Sequence, residues 1–251
     1  MATPLPIIRG SSTALYPFRQ TYHCLTGISD GQAATPARWV RGYPLVSFEF
    51  PYDPITQTQK DALRAALTSA KGQFATDRSA TTDVEYDYLS FDADEFSATE
   101  KTSTQYGVRW SLTQTLPQNW SPGASGGAFP VLGTGALCQL PYTQKRRFQT
   151  IVSRMPSGPK YVWAEFAGGL TGFPGALGLM TWEFANSNLS DTEASALIAH
   201  FLANWGDCFP FTFTDEDTTT YPNVYYASPD LTIMRTGPNH NAVKVALIQM
   251  N

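Results

Sequence analysis

The sequence predicts a mainly β protein (α+β), with one helix in each of two tandem domains of β-sandwich or barrel type. Three observations predict this class: an internal repeat, strands in which apolar and polar residues alternate, and one helical pattern in each copy of the repeat. The chain has 251 residues, of which 42% are hydrophobic and 15% are charged. Such a chain can bury proper cores, and its low charge favours a surface that other subunits partly cover.

The first block of the repeat starts at an aromatic-Glu-Phe sequence. Residues 47–72 align without a gap with residues 181–206 at an offset of 134. Seven of these 26 pairs are identical, among them Glu49 and Glu183. The block therefore indicates that one stretch of sequence occurs twice.

The second block follows the first in both copies. Residues 96–116 align with residues 231–251 at an offset of 135, and three pairs are identical. Because the order of the blocks is kept and the offsets differ by one residue, we predict a tandem duplication. The predicted domains are residues 1–116 and 142–251. A Gly- and Pro-rich linker over residues 117–141 joins them, and its interspersed apolar residues predict that it lies against a surface.

Each copy begins with a β-rich stretch, residues 22–39 and 148–166, and continues into a strand that contains the aromatic-Glu-Phe sequence. In the first copy Val46, Phe48 and Phe50 alternate with other residues. A period of two places these three side chains on one face of the strand, which predicts an apolar face turned to the core.

A helix follows this strand in both copies. Ser190 with Glu193 three residues later is a capping box, and Thr56 with Gln59 repeats it in the first copy. Apolar residues then recur at helical spacing. Gly72 and Gly206 stand where the end of a helix favours a left-handed residue.

Alternating strands complete each copy. In the second copy Phe211 and Phe213 alternate with threonine, and residues 215–217 form an acidic segment that we interpret as a solvated turn. Residues 228–230 predict a hairpin turn. Residues 243–247 alternate again and predict a last strand.

No catalytic, metal or cofactor set is found in the sequence. The three cysteines lack metal or disulfide spacing, which fits reduced thiols, and the histidines are scattered. Glu49 and Glu183 are equivalent, so we expect each to make a polar contact in its own copy rather than act as paired glycosidase carboxylates. We therefore predict no enzyme activity, no metal and no cofactor.

The composition also bears on partners. The net charge is −4 and the basic run at residues 145–147 is short, so we predict no specific nucleic-acid binding. No window reaches the roughly 18 continuous apolar residues of a membrane helix, and no secretory signal is visible.

Aromatic residues that follow the second helix are the candidate interface residues. Tyrosine, tryptophan and phenylalanine anchor protein interfaces and equally fill β cores, so both interpretations stay open. The candidates are Trp205, Phe209, Tyr221, Tyr225 and Tyr226.

The second copy also carries a longer pattern, in which a helix that ends in glycine leads to an aromatic strand, an aspartate and a further strand. The residues of this pattern are Phe201, Leu202, Trp205, Gly206, Asp207, Phe209, Phe211, Phe213, Asp215, Tyr221, Asn223, Val224 and Tyr225. It resembles the minor or distal tail proteins of long-tailed (siphovirus-like) bacteriophages. The first copy departs from it, because its residues 73–77 are shorter and less aromatic.

The resemblance implies a tail-tube-like domain, which is a β-sandwich or barrel with one flanking helix that assembles into six-fold rings. A chain with two such domains would form a homotrimer with a pseudo-hexameric ring. It implies a place in the baseplate at the tail tip, between the six-fold tail tube and a three-fold hub or spike, with tail tube, hub and tape measure proteins as partners. The virion tail would be its location, after assembly in the host cytoplasm.

Two other functions stay open at this point. The first is a carbohydrate- or receptor-binding module of a virion, in which exposed aromatic rings would hold sugars. The second is a cell-wall hydrolase, against which the lack of a recognisable acid-base or nucleophile set argues.

Overall fold

The structure of the protein is a computed structural model, and it contains both predicted helices. The described residues are 17–28, 38–69, 73–74, 89–91, 97–115, 124–132, 142–146, 150–154, 161–165, 180–215, 218–237 and 239–249. Gly72, the residue predicted to end the first helix, lies outside these residues. The helices are α1 (Gln57–Ser69) and α2 (Asp191–Ala203).

Within these residues the chain is mainly β, as predicted. The strands are β1 (Phe18–His23), β2 (Thr26–Ile28), β3 (Arg38–Val40), β4 (Leu45–Thr56), β5 (Gln73–Phe74), β6 (Leu89–Phe91), β7 (Ala98–Thr102), β8 (Gln105–Gln114), β9 (Tyr142–Arg146), β10 (Thr150–Arg154), β11 (Tyr161–Glu165), β12 (Met180–Leu189), β13 (Phe211–Thr214), β14 (Thr220–Tyr226), β15 (Asp230–Gly237) and β16 (His240–Gln249).

Fourteen of the described strands form one antiparallel sheet, and β2 and β3 pair separately as a hairpin. The main path of the sheet runs β11-β10-β9-β12-β16-β15-β1-β4-β8-β6-β5, while β7 pairs with β8, β14 pairs with β16 and β13 pairs with β14. We call the predicted domains, residues 1–116 and 142–251, the first half and the second half. They share one sheet, because β1 lies between β15 of the second half and β4 of the first.

The strand registers of the two halves correspond. In the first half Phe48 of β4 lies opposite Leu112 of β8. At offsets of 134 and 135 these positions become Trp182 of β12 and Leu247 of β16, and these two residues also lie opposite each other. The offsets found in the sequence are thus the offsets of the backbone pairing.

Further strand pairs repeat in the same way. The pairing of β6 with β8 corresponds to that of β14 with β16, and the pairing of β7 with β8 corresponds to that of β15 with β16. The pairing of β1 with β4 corresponds to that of β9 with β12, where β1 and β9 are related by an offset of 124. The equivalent pairs are Leu89–Gln114 with Val224–Gln249, Ala98–Val108 with Ile233–Val243, and Gln20–Phe48 with Gln144–Trp182. The same arrangement of strands therefore occurs twice in the chain.

Both predicted capping boxes are confirmed. The Ser190 hydroxyl accepts from the backbone N–H of Glu193, and the Glu193 carboxylate accepts from the backbone N–H of Ser190 at 2.9 Å. Thr56 and Gln59 make the same reciprocal bonds at the start of α1. The cap satisfies backbone donors that the first turn leaves without helical partners, so the local sequence sets where each helix begins.

The end of α2 requires a glycine. Gly206 has a φ of +63°, and a Cβ at this position would lie 2.9 Å from the Cβ of Cys24. The predicted left-handed position at Gly206 is confirmed, and it also permits the close approach of the chain that leads out of β1.

Part of the predicted linker contributes to the core. Phe129 and Leu132 are buried, and the Phe129 ring lies 5.6 Å from the Phe184 ring between centroids. The backbone N–H of Phe129 donates to the carbonyl of Thr212 at 2.9 Å. This segment therefore packs into the second half, beyond the surface contact that its composition predicted.

Two details of the sequence interpretation are wrong. Asp215 is buried, where its carboxylate accepts from the Thr219 backbone N–H at 3.0 Å and from the Tyr221 hydroxyl at 3.2 Å, so it is not a solvated turn residue. Residues 228–230 do not close a hairpin, because β14 and β15 lie end to end along β16 and are not paired with each other. Local hydrogen bonds bury Asp215, whereas the pairing of both β14 and β15 with β16 overrides the turn composition of residues 228–230.

Candidate functional site

The two halves of the chain meet where β1 pairs with β15. This joint runs antiparallel over six residue pairs, from Phe18 opposite Arg235 to His23 opposite Asp230. The His23 ring contacts the Asp230 carboxylate, and the Thr21 and Thr232 hydroxyls are hydrogen-bonded at 3.0 Å. β1 of the first half thereby pairs along the edge strand β15 of the second half.

A buried polar network fixes this joint. The Arg235 guanidinium donates through Nε to the Gln20 side-chain oxygen at 3.1 Å and through Nη1 to the Asn241 side-chain oxygen at 3.2 Å. Its Nη1 also lies 3.4 Å from the Asp191 carboxylate, which accepts from the Asn241 amide at 2.9 Å. Arg235 is 4% exposed. Because an unpaired buried charge is costly, the network ties β1, β15, β16 and the start of α2 to one geometry.

The hairpin β2–β3 also packs against the second half. Arg38 forms an ion pair with Asp207 at 3.0 Å, and both side chains are almost fully buried. The Thr26 hydroxyl donates to the same carboxylate at 2.7 Å. The Arg38 guanidinium lies 4.9 Å from the centre of the Tyr225 ring, a cation–π distance. These contacts hold the hairpin away from the edge of the large sheet.

The five predicted interface aromatics occupy three different environments. Tyr226 is 2% exposed and Tyr221 packs against the core. Trp205 lies 5.7 Å from Tyr43 between ring centroids, so Trp205 and Tyr225 both contact the first half. Phe209 is 37% exposed. The structure therefore does not bring these five residues together on one surface.

A groove with a mainly apolar lining and four charged side chains crosses the joint, on the face of the sheet opposite the buried Phe18 and Tyr22 of β1. Its volume is about 900 Å³, and β1, β4, β8, β15 and β16 contribute side chains to it. Glu49 forms ion pairs with Arg19 at 3.0 Å and Arg109 at 3.4 Å. The polar contact expected for Glu49 is thus present, and it links three strands of the first half. Lys244 is the fourth charged residue among the described groove residues, which are otherwise mostly serine, threonine and apolar side chains.

Sequence reasoning missed Arg19 and Lys244 as groove residues. Lys244 is the equivalent of Arg109, so the repeat alignment carried a signal for it. Arg19 meets Glu49 only because β1 pairs with β4, and no local pattern indicates that pairing. The groove combines residues of both halves, so it exists only when the joint is formed.

Burial shifts the pKa values of two cysteines and one histidine near the contact between the halves or in the core of the second half. Burial and the nearby Asp207 raise the pKa of the Cys24 thiol to about 12, and burial raises the pKa of Cys208. Burial lowers the pKa of His200, whose Nδ1 lies 2.7 Å from the Tyr226 hydroxyl oxygen. A thiol with a raised pKa is a weak nucleophile at neutral pH, because the thiolate is the reactive form.

The described residues contain neither a group of metal-ligating side chains nor a helix that could span a membrane. Within the ranges given above, no three His, Cys, Asp or Glu side chains are grouped so that they could hold a metal ion. Neither helix in this part of the chain is long and apolar enough to cross a membrane.

Two comparisons, with protein-family models and with curated sequences, give no match.

Proposed function

We propose that the protein is a structural subunit of a bacteriophage tail, a minor or distal tail protein that forms a ring at the tail tip. In this proposal the chain is a tandem duplicate of one tail-tube-like β domain. Three chains form a pseudo-hexameric ring of six domains. The ring joins the six-fold tail tube to a three-fold hub or spike, and the protein has no catalytic role.

The observation that carries this proposal is the joint between β1 and β15. It unites two units whose strand registers correspond, and it does so by pairing one strand of each unit along an edge. A contact between equivalent units inside one chain can recur between chains, and rotational recurrence gives a closed ring. The low charge content of 15% agrees with extensive subunit contacts.

The mass of the purified chain in solution, measured by light scattering with negative-stain images, tests the proposal. We expect a particle of three times 27.6 kDa with a central hole. A chain that stays monomeric at high concentration, and also after addition of tail tube and hub proteins, would contradict the proposed ring.

A second candidate function is a carbohydrate- or receptor-binding module of a virion, and the groove of about 900 Å³ favours it. Charged and hydroxyl side chains on a concave surface offer hydrogen bonds to sugar hydroxyls. A glycan array would test this candidate, with the groove variant Arg109→Ala compared with Arg64→Ala on the exposed face of α1. Glycan binding that only the groove variant loses would favour this function over the ring.

A further inference from the structure

Strand β7 occupies in the first half the place that β15 occupies in the second. Both pair with the last strand of their half, in equivalent registers. On its other side β15 pairs with β1, whereas no described strand pairs with β7 there. All five side chains of β7 are exposed, while alternate residues of β15 are buried. A strand edge of this kind is a template for pairing with another chain.

The natural counterpart of β1 is β9, whose outer edge is occupied in a different way. β9 pairs with β12 as β1 pairs with β4. On its outer edge, however, β9 pairs with β10, where β1 has β15. β10 therefore covers the edge on which a strand equivalent to β15 would lie.

The hairpin β10–β11 is the counterpart of β2–β3, and the chain holds this hairpin in two positions. β2–β3 lies off the large sheet and packs against the other half, while β10–β11 extends the large sheet. The sequence provides a reason, because Arg38 and Asp207 anchor the first hairpin. Val162 is the equivalent of Arg38 at the offset of 124, and Gln73 is the equivalent of Asp207 at the offset of 134. Neither residue is charged, so this anchoring ion pair cannot form for the second hairpin.

We propose that β10–β11 leaves β9 on assembly, and that β7 of a second copy of this chain pairs with β9 in its place. The new pairing repeats the register of the internal joint. Ala98 lies opposite Gln144, Thr99 opposite Thr143 and Glu100 opposite Tyr142, as the offsets of 135 and 124 require. This inference rests on the proposed ring and names the strands that close it.

The side chains at the internal joint support this choice of occupant. Arg235 donates to Gln20 across the joint. The equivalent residues are Glu100 and Gln144. A glutamine amide can accept from a guanidinium or donate to a carboxylate, so the retained glutamine suits both joints. In the isolated chain the hairpin covers the edge of β9, which limits uncontrolled pairing between edges.

An engineered disulfide between β9 and β10, which we call the lock, tests the inference because it can be reduced. Thr143 of β9 lies opposite Ser153 of β10, so cysteines at both positions can join the hairpin to the edge by a disulfide. The variant T143C/S153C, made in a Cys138→Ser background, is expected to stay monomeric by light scattering when oxidised. After reduction it is expected to assemble like the wild-type chain, with a threefold gain in mass.

A second pair of cysteines tests the register. T99C/T143C is expected to form disulfides between chains in the assembled protein, seen as bands of higher mass on a non-reducing gel. R19C/M234C, the equivalent pair at the internal joint, is the positive control and must link within one chain. T102C/T143C is three residues out of register and is expected to give no link.

The outcomes separate this inference from the proposed ring. An oxidised lock variant that still assembles, or an assembled T99C/T143C variant without links between chains, overturns the exchange of β10 for β7 and leaves the ring itself standing. Failure of the wild-type and every reduced variant to assemble, even with tail partners added, overturns the ring and the inference together.

Discussion

The two halves of the molecule share their strand registers and differ in how their sheets are covered. α1 and α2 are each 13 residues long and have equivalent caps. α2 buries six residues, whereas among the described side chains of α1 only Leu63 is buried. At equivalent positions, Arg64 is exposed and Ile198 is buried. Two halves with the same strand registers can thus carry helices that differ in which residues they bury.

This difference indicates which features an arrangement of this type must keep. Pairing between strands needs only the alternation of inward and outward side chains, so it survives extensive substitution. Packing of a helix needs apolar residues at particular positions, so each half can lose or gain it independently. The following variants therefore compare equivalent positions in the two halves.

The largest effect is expected at the joint. Arg235→Ala removes the cation that faces buried Asp191, Asn241 and Gln20. Loss of one partner from such a network leaves an uncompensated buried charge, so we expect a loss of about 3–5 kcal/mol in the free energy of unfolding. Urea denaturation at low protein concentration measures it.

The control for this variant is the equivalent residue of the first half. Glu100 is exposed on β7, so Glu100→Ala is expected to change the free energy of unfolding by less than about 0.5 kcal/mol. Similar losses for the two variants would mean that the joint is not a special source of stability.

The next effect concerns the two helices. Ile198→Ala removes a side chain that packs in the core of the second half, so we expect a loss of about 2–4 kcal/mol. Arg64→Ala, at the equivalent position of α1, is expected to change stability by less than about 0.5 kcal/mol in the same thermal and urea unfolding experiments. A large loss for Arg64→Ala would show that α1 contributes more packing than its exposure indicates.

Local sequence was sufficient for some elements of both halves. Ser190 and Glu193 satisfy backbone groups within three residues of each other, so the start of α2 could be predicted without knowledge of the fold. The alternation of Phe48 and Phe50 with polar residues likewise predicted a strand with one buried face, and both rings are buried.

The joint and the groove could not be predicted in this way. β1 pairs with β15 across more than 200 residues, and β1 shares only Gln20 with its counterpart β9. The match of β6 with β14 contains no identical residue, although their registers are equivalent. Backbone pairing constrains alternation rather than identity, so such strands lose their sequence similarity before they lose their place in the sheet.

The third prediction concerns the glycine after α2. Gly206→Ala puts a Cβ at a φ of +63° and 2.9 Å from the Cys24 Cβ, so strain and a clash act together. We expect a loss of about 2 kcal/mol, measured as a lower midpoint of urea unfolding. Gly127→Ala is the matched control, because beyond its chain neighbours no described residue has an atom within 4 Å of a Cβ built there. This variant is expected to leave the midpoint nearly unchanged.

The smallest effect is a pH dependence at Cys24, which lies where β1 leaves the joint. Burial, followed by Asp207, Asp230 and Cys208, raises the pKa of this thiol from its usual value of 9.0 to about 12. Because the folded state holds the proton more tightly than the unfolded state, this stability is complete below pH 9 and is lost as the pH rises towards 12. Between pH 8 and pH 10 the expected loss is about 1.4 kcal/mol.

Comparison with Cys24→Ala isolates this contribution, since Tyr226 and Cys208 also have raised pKa values and titrate in both proteins. The free energy of unfolding of the variant should fall less steeply between pH 8 and pH 10 than that of the wild-type chain. Equal slopes would mean that the thiol is accessible to water at the joint, and hence that the close approach of Cys24 to Gly206 opens in solution.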